Sequence, residues 1–295
     1  MRENGVYTIV CRFTAPYFER TFLVPPCGVN AVIINVIVFT QPDIEELAFI
    51  GHIHYSFTSL EEPLSYLRFL INFKGLWHLA LAIFDLDNTL LGGDSDYLWG
   101  QFLIEQGIVD KTSYEQENHR YYLEYQQGTL DIQEFLKFQL RPLAEHDMNR
   151  LLKWRERFIR EKIQPIILPA ALELIQNHRD KGDALLVITA TNRFITEPIV
   201  KAMSIETLIA TEPEMINGRY TGRVDGTPCF REGKVQRLNQ WLKSNGENLA
   251  ASTFYSDSHN DLPLLDLVTY PVAVDPDDTL AQHAEMRGWP IISLR

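Results

Sequence analysis

Leu81-Ala82-Ile83-Phe84-Asp85-Leu86-Asp87-Asn88-Thr89-Leu90-Leu91 is the stretch on which the reading of this chain turns. An apolar run ends abruptly in two aspartates one residue apart, then a threonine. The run is short and Gly92-Gly93 follow it, so it reads as a buried strand. Asp85 and Asp87 then stand at the strand's carboxyl end, where open α/β sheets bind their ligands. Two carboxylates this close repel each other in a half-buried mouth and require a cation beside them. A lone D-x-D is common by chance and reads as a strand with a polar turn. Three further pieces, in order downstream, give this one its weight.

Residues 184–188 form a second apolar run, ending in Thr189-Ala190-Thr191-Asn192-Arg193. Gly233-Lys234 opens a helix over 235–243. Residues 253–256 form a third run, ending in Asp257-Ser258-His259-Asn260-Asp261. Helices over 169–181 and 194–203 and short strands at 208–210, 272–274 and 291–292 alternate with these pieces. The alternation predicts an α/β fold with a doubly wound parallel sheet. Asn217-Gly218 and Thr221-Gly222-Arg223 predict a hairpin.

Between the first strand and the next βα unit, the spacing predicts four helices. They cover 96–106, 113–127, a third capped by Thr129 or Asp131 and stopped by Pro142, and a fourth capped by Asp147. In the fourth, Met148, Leu151, Leu152, Phe158 and Ile159 share a face. Four helices at that place predict a small bundle capping the strand mouth, able to exclude water and select substrates. The run Arg155-Glu156-Arg157 reads as a solvated face. The expected division is a core of 79–93 and 166–295, a cap of 94–165, and an extension of 1–78.

The chain has 295 residues, 45% of them hydrophobic, enough for a large core. A net charge of −12 argues against nucleic acid as a partner. It leaves room for a phosphorylated small molecule, because a metal and a few local cations reverse the field inside a cleft. Cys11, Cys27 and Cys229 form no C-x-x-C pair and suggest a reducing compartment. The longest apolar segment, 29–39, falls short of the ~20 residues that span a bilayer. No membrane partner and a cytoplasmic location are therefore expected.

Residues 1–78 differ from the rest. Lys appears there only at Lys74, and Pro16, Pro25, Pro26, Pro42 and Pro63 break the segment into short pieces. Residues 45–57 and 65–73 each predict a short helix. His52 and His54 lack the further Cys or His that a metal site needs. Catalytic strands of this kind usually stand near an amino terminus. Lys74-Gly75 can be encoded as a ribosome-binding sequence a few codons ahead of Leu79, which has rare start codons. The expectation is that 1–78 lies outside the working protein.

The strand ends together present Asp85, Asp87, Thr189, Lys234, Asp257, Asn260 and Asp261, with no nucleophilic cysteine. Ser258, His259 and Asp261 sit too close in sequence to converge as a triad, and no G-x-S-x-G elbow is present. No P-loop and no G-x-G-x-x-G occur, which points away from NTPases and dinucleotide enzymes. Carboxylates with other oxygen ligands suit Mg²⁺, which binds through a few carboxylates and the substrate's own phosphate. A phosphate so held beside Asp85 invites in-line attack by that carboxylate. Asp87 then serves as acid and base, Thr189 as a phosphate hydrogen bond, and Lys234 as a neutralising charge.

With its motifs in this order, the chain from Leu79 to Arg295 resembles the haloacid-dehalogenase superfamily. Within it, the phosphoserine-phosphatase-like branch with a helical cap is the nearest likeness. Asp85-Leu86-Asp87-Asn88-Thr89 matches the D-x-D-x-T motif, Thr189 the second motif and Lys234 the third. Asp257-Ser258-His259-Asn260-Asp261 matches the fourth, with Ser256 where its glycine is usual. The resemblance implies Asp85 as nucleophile and Asp87 as acid/base. It implies Mg²⁺ held by Asp85, the Asp87 carbonyl and Asp257, with Asn260 and Asp261 supporting. Residues 189–199 and Phe230-Arg231-Glu232-Gly233-Lys234 resemble a subgroup described as histidinol-phosphatases. The expected activity is hydrolysis of a small metabolite phosphate in amino-acid biosynthesis, first L-histidinol phosphate. Phosphoserine is the alternative, and phosphotransfer or a non-catalytic regulatory role stands behind both. Asp94 and Asp96 at the cap edge suit a cationic substrate, whereas Arg141 and Arg193 are available for a carboxylate. The intact mass of the protein tests the extension: a mature chain starting near Leu79 is expected, and one beginning at Met1 overturns the expectation.

Overall fold

The structure, a computed structural model, describes residues 80–295 and the backbone of three earlier strands. The chain divides into two units, Met1–Trp77 and His78–Arg295. In the first, β1 (Gly5–Phe13), β2 (Ile33–Ile37) and β3 (Leu47–Tyr55) form an antiparallel sheet in the order β1-β3-β2. The helix expected over 45–57 is therefore a strand. Phe49, Ile50, Ile53 and Tyr55 are aromatic or β-branched, and that composition favours extended backbone. The helix expected over 65–73 and the start at Leu79 lie outside the described residues.

The second unit is built on six parallel strands in the order β11-β10-β9-β4-β5-β6. They are β4 (Leu81–Phe84), β5 (Ala184–Asn192), β6 (Thr207–Thr211), β9 (Thr253–Ser256), β10 (Tyr270–Val274) and β11 (Ile291–Ile292). Alternate residues of a strand face opposite ways, and β4 shows the consequence. Ala82 and Phe84 join one core with Ala171 and Ile175 of α5 (Pro169–Asp180) and Ile195 and Ile199 of α6 (Arg193–Ala202). Leu81 and Ile83 join another with Leu238 of α7 (Glu232–Asn245), Leu265 of α8 (Leu262–Leu265) and Leu280 of α9 (Asp278–Arg287). A parallel sheet covered on both faces needs such continuous apolar runs, and β4 is buried along its whole length.

The cap comprises α1 (Ser95–Glu105), α2 (Lys111–Gln126), α3 (Ile132–Glu145) and α4 (Met148–Phe158). An aspartate opens each. Asp94, Asp110, Asp131 and Asp147 accept the N–H of Tyr97, Ser113, Gln133 and Arg150 at 2.8–3.1 Å, each worth about 1 kcal/mol. Helix α3 runs through Pro142 to Glu145, three residues beyond the expected stop. Pro142 and Leu143 are buried, and that packing outweighs the hydrogen bond the ring removes. Leu152, expected on the inner face of α4, is 39% exposed. The last turn of this segment widens to a π-turn over Ile159–Ile163.

Trp99, Phe102 and Phe158 pack ring on ring at the root of the cap, and Phe194 of α6 meets Trp99 at 6.0 Å. Arg155 is half-buried rather than on a solvated face. Its guanidinium lies 4.7 Å from the Phe194 ring and donates to the Phe194 carbonyl at 2.8 Å, tying α4 to the core. A hairpin of β7 (Pro213–Ile216) and β8 (Arg219–Val224) leans on α3. Its turn is Asn217-Gly218, both at positive φ; Thr221-Gly222-Arg223 lies inside β8 rather than in a turn. The cap enters and leaves by adjacent chain segments, with Gly92 donating to the Ile166 carbonyl at 2.7 Å and Leu168 to the Leu90 carbonyl at 3.2 Å.

Phe254 on β9 is fully buried, while Leu172 on α5 is 43% exposed. Phe254→Ala is expected to cost about 3–5 kcal/mol, and Leu172→Ala less than about 0.5 kcal/mol. The midpoints of denaturant unfolding check both; equal shifts would contradict the placement of Phe254.

Candidate active site

The three central neighbours, β9, β4 and β5, end side by side, and their carboxyl ends carry the polar residues. Asp85 follows β4 directly, and its N–H donates to the Tyr255 carbonyl at 2.9 Å. The ladder thus fixes the Asp85 backbone, and the side chain is buried beneath the cap. Asp87 follows two residues later. Thr189 and Thr191 stand at the end of β5, and Asp257 follows β9. Asn260 and Asp261 lie in the single turn His259–Asp261.

Lys234 lies in the first turn of α7, and its ammonium is 2.8 Å from Asp85 Oδ1. It is also 2.7 and 2.8 Å from the two oxygens of Asp261. Gly233 makes this approach possible: a Cβ there would sit 2.0 Å from the Pro228 carbonyl oxygen. Ser256 takes the place of the expected glycine and has work of its own. Its hydroxyl donates to Asp261 at 2.7 Å and accepts the Ser258 N–H at 3.2 Å.

Asp87 is held from the cap side and the core side together. Its Oδ1 accepts the Ser95 N–H of α1 at 2.7 Å, and its Oδ2 accepts the Thr191 hydroxyl at 2.7 Å. Thr189 reaches the same oxygen at 3.5 Å and accepts the Thr191 N–H at 3.2 Å. Asp257 accepts the Thr89 hydroxyl at 3.0 Å and returns its own N–H to that oxygen at 3.1 Å.

Burial dominates the electrostatics. It raises Asp85 to about 7 against the pull of Lys234. It raises Asp87 despite the hydrogen bonds from Ser95 and Thr191. Asp257 stands well above the usual carboxylate range through burial and then the charges of Asp85 and Asp261. Burial works against the Lys234 ammonium, but Asp261 and Asp85 hold it above its ordinary value. One ammonium thus faces the acids Asp85, Asp87, Asp257 and Asp261, more carboxyl groups than a single cation neutralises.

A hard cation fits that surplus. The acids gathered at these strand ends offer oxygen donors only, the donor type that hard divalent cations take. Among the described residues no three His, Cys, Asp or Glu side chains cage a metal by themselves.

A cavity of about 50 Å³ opens from these groups into the cap. Asp85, Asp87, Thr189 and Lys234 form its floor; Asp94, Asp96, Tyr97, Asn118, Tyr122, Tyr125, Gln139 and Phe230 line its sides. Asp94 is raised to about 7 by burial and by Asp87. Arg141 and Arg193 are not among the lining residues. Arg141 is exposed and 3.8 Å from Glu145. Arg193 donates to both oxygens of Glu212 at 2.8–2.9 Å and to the Leu208 carbonyl, so it braces β6 instead.

Thr191, Arg231 and Gln139 were not singled out by sequence. Thr191 is two residues from Thr189 on one strand, hence on the same face, and that spacing is the available signal. Arg231, at φ 49°, donates to Asn260 at 2.9 Å and to the Gly128 carbonyl of the cap. Gly128 has no room for a Cβ, which would lie 2.7 Å from His259 Nε2. Gln139 is one polar residue on an amphipathic helix and carries no local signal.

Residues 82–266 match the family model of haloacid dehalogenase-like hydrolases. A histidinol-phosphatase of Neisseria meningitidis serogroup C (strain 8013) is 48% identical over 219 residues, which is 73% of this chain and 99% of that protein. Phosphoserine phosphatase SerB1 of Mycobacterium tuberculosis (strain ATCC 25618 / H37Rv) is 30% identical, covering 73% of this chain and 71% of its own. Among solved structures, a protein of unknown function from Bordetella pertussis Tohama I superposes with a TM-score of 0.71 at 44% identity, over 74% of this chain and all of that one. A phosphoserine phosphatase solved as a phospho-aspartyl intermediate analogue superposes with a TM-score of 0.56 at 18% identity, over 74% of this chain and 95% of that one, and shares the fold. A sheet of this order, acids at these strand ends and relatives of this closeness agree: the chain belongs to the haloacid dehalogenase-like hydrolase family and is a phosphatase.

Proposed function

We propose that this phosphatase is a Mg²⁺-dependent phosphomonoesterase that works through an aspartyl-phosphate on Asp85 and acts on L-histidinol phosphate. Phosphatases of this family are generally metal-dependent. A bound Mg²⁺ would be held by Asp85, Asp257 and the Asp87 carbonyl, and would supply charge neutralisation for the phosphoryl oxygens.

Asp85 attacks phosphorus and the ester P–O bond breaks. Lys234, 2.8 Å from Asp85 Oδ1, fixes the carboxylate and offsets charge on the transferring group. Asp87 has a raised affinity for a proton, and it gives that proton to the departing alkoxide. It then takes a proton from the water that attacks the acyl-phosphate, which returns Asp85 and releases phosphate. Thr189 hydrogen-bonds a phosphate oxygen, and Asn260 and Asp261 hold Arg231 and Lys234 in place.

One observation carries the choice of substrate. The cavity beyond the acids is lined by Asp94 and Asp96, and Lys234 is the sole cation in its lining among the described residues. A substrate carboxylate such as that of phosphoserine would meet no counter-charge there, while an amine and an imidazole would meet two acids. The 48% identical relative carries the name of that activity. A cavity of about 50 Å³ is small against a typical ligand site, and lifting of the cap would widen it. Amino-acid biosynthesis in the cytoplasm is the setting this substrate supports.

Phosphate release from L-histidinol phosphate, phosphoserine and an aryl phosphate tests the reading. Asp85→Asn is expected to reduce release to background; retained turnover would remove Asp85 as nucleophile. Asp87→Asn is expected to lower the rate roughly 10²–10⁴-fold, with wild-type rates refuting its role. Chelation is expected to abolish release and Mg²⁺ to restore it. Among the esters, kcat/KM is expected to be highest for L-histidinol phosphate, and a preference for phosphoserine would reverse the assignment.

A further inference from the structure

Among the buried cap groups with no hydrogen-bond partner, two acceptors belong to residues that line the cavity. Asp96 is 7% exposed and its Oδ1 accepts no hydrogen bond; Gln139 is 1% exposed and its Oε1 accepts none. The orientation of the Gln139 amide is fixed by its other end, because Nε2 donates to the Asp96 carbonyl at 3.3 Å. Both residues line the cavity above Asp85. Leaving a buried acceptor unsatisfied costs about 1–3 kcal/mol, more for a charged group. Two such acceptors side by side, from α1 and α3, are a site built for donors.

We propose that Asp96 and Gln139 form the selectivity subsite of this phosphatase, a pair of acceptors for the N–H groups of a cationic leaving-group alcohol. The proposal rests on the phosphatase reading and adds which residues read the alcohol. Tyr97, Tyr121 and Phe135 line the same space with aromatic surface, which suits a flat N–H-bearing ring or an ammonium. A neutral or anionic alcohol leaves both acceptors stranded, and a site built to satisfy hydrogen bonds discriminates strongly on that ground. Recognition also reaches the chemistry through one peptide unit. The residue before Asp96 is Ser95, whose N–H holds Asp87 Oδ1 at 2.7 Å. A ligand that seats Asp96 therefore seats the start of α1 against the general acid.

The test measures kcat/KM for L-histidinol phosphate, 2-aminoethyl phosphate and phenyl phosphate with wild type, Asp96→Asn and Gln139→Met. Calorimetric binding of phosphate-free L-histidinol to the same proteins runs alongside. The expected result is that wild type prefers at least one N–H-bearing ester over phenyl phosphate. Asp96→Asn then lowers that preference roughly 10–100-fold, and L-histidinol affinity falls with it. Gln139→Met lowers it in the same direction, and decides the matter if the first variant fails to fold. A preference for 2-aminoethyl phosphate alone, lost in Asp96→Asn, keeps the subsite and removes the named substrate. Unchanged preference and unchanged L-histidinol binding in both variants overturn the subsite while leaving the phosphatase intact. Equal rates on all esters by wild type overturn it as well.

Discussion

Lys234 stands between Asp85 and Asp261, within 2.8 Å of both, with all three side chains nearly sealed from water. Taking an ammonium out of water costs several kcal/mol, and attraction returns this only when geometry and partners are good. Most of the unit's architecture serves that geometry. The sheet order sets β9 beside β4, so Asp261 and Asp85 lie on either side of one point. Gly233 lets the start of α7 press against Pro228, which brings the lysine to that point. Ser256 gives Asp261 a second donor and so holds it in place.

That point is charge-deficient by design of its surroundings. One cation is shared by two acids, and Asp257 and Asp87, whose proton affinity burial raises, add further carboxyl groups to the same mouth. A divalent ion bound there would offset the surplus of carboxyl groups, and a phosphate ester could complete its coordination. The cap divides the labour differently. Its helices contribute the Ser95 N–H to Asp87 and the acids Asp94 and Asp96 to the cavity walls, while every group at the cavity floor belongs to the core.

The parts legible in the sequence are those written locally. Short continuous apolar runs mark β4, β5 and β9, and the acids after β4 and β9 converge with the threonines of β5 because parallel strands bring their ends together. Asp131 and Asp147 mark the starts of α3 and α4, whereas the caps of α1 and α2, Asp94 and Asp110, emerge only in the structure. What was not legible depends on contacts distant in sequence. Pro142 continues a helix because α3 is packed there. Arg155 looks like one member of a surface charge run, yet it lies on Phe194, 39 residues away. Arg193 sits beside the second motif but turns to Glu212. Gln139 acquires meaning only when α3 is laid against α1. Residues 45–57 misled because short apolar runs suit either a helix or a strand.

The paired hydrogen bonds at Gly92–Ile166 and Leu168–Leu90 have a consequence for how such an enzyme changes over time. Because the chain leaves the core and returns to it at neighbouring points, the core meets the whole cap as one closed loop. Closure entropy rises only slowly with loop length, so shortening or lengthening the insert alters the core's folding little. The inserted helices are therefore exchangeable in a way the strand ends are not. A lineage can keep one phosphoryl-transfer floor and try new ceilings over it, so diversification of substrates is cheapest where this chain is spliced.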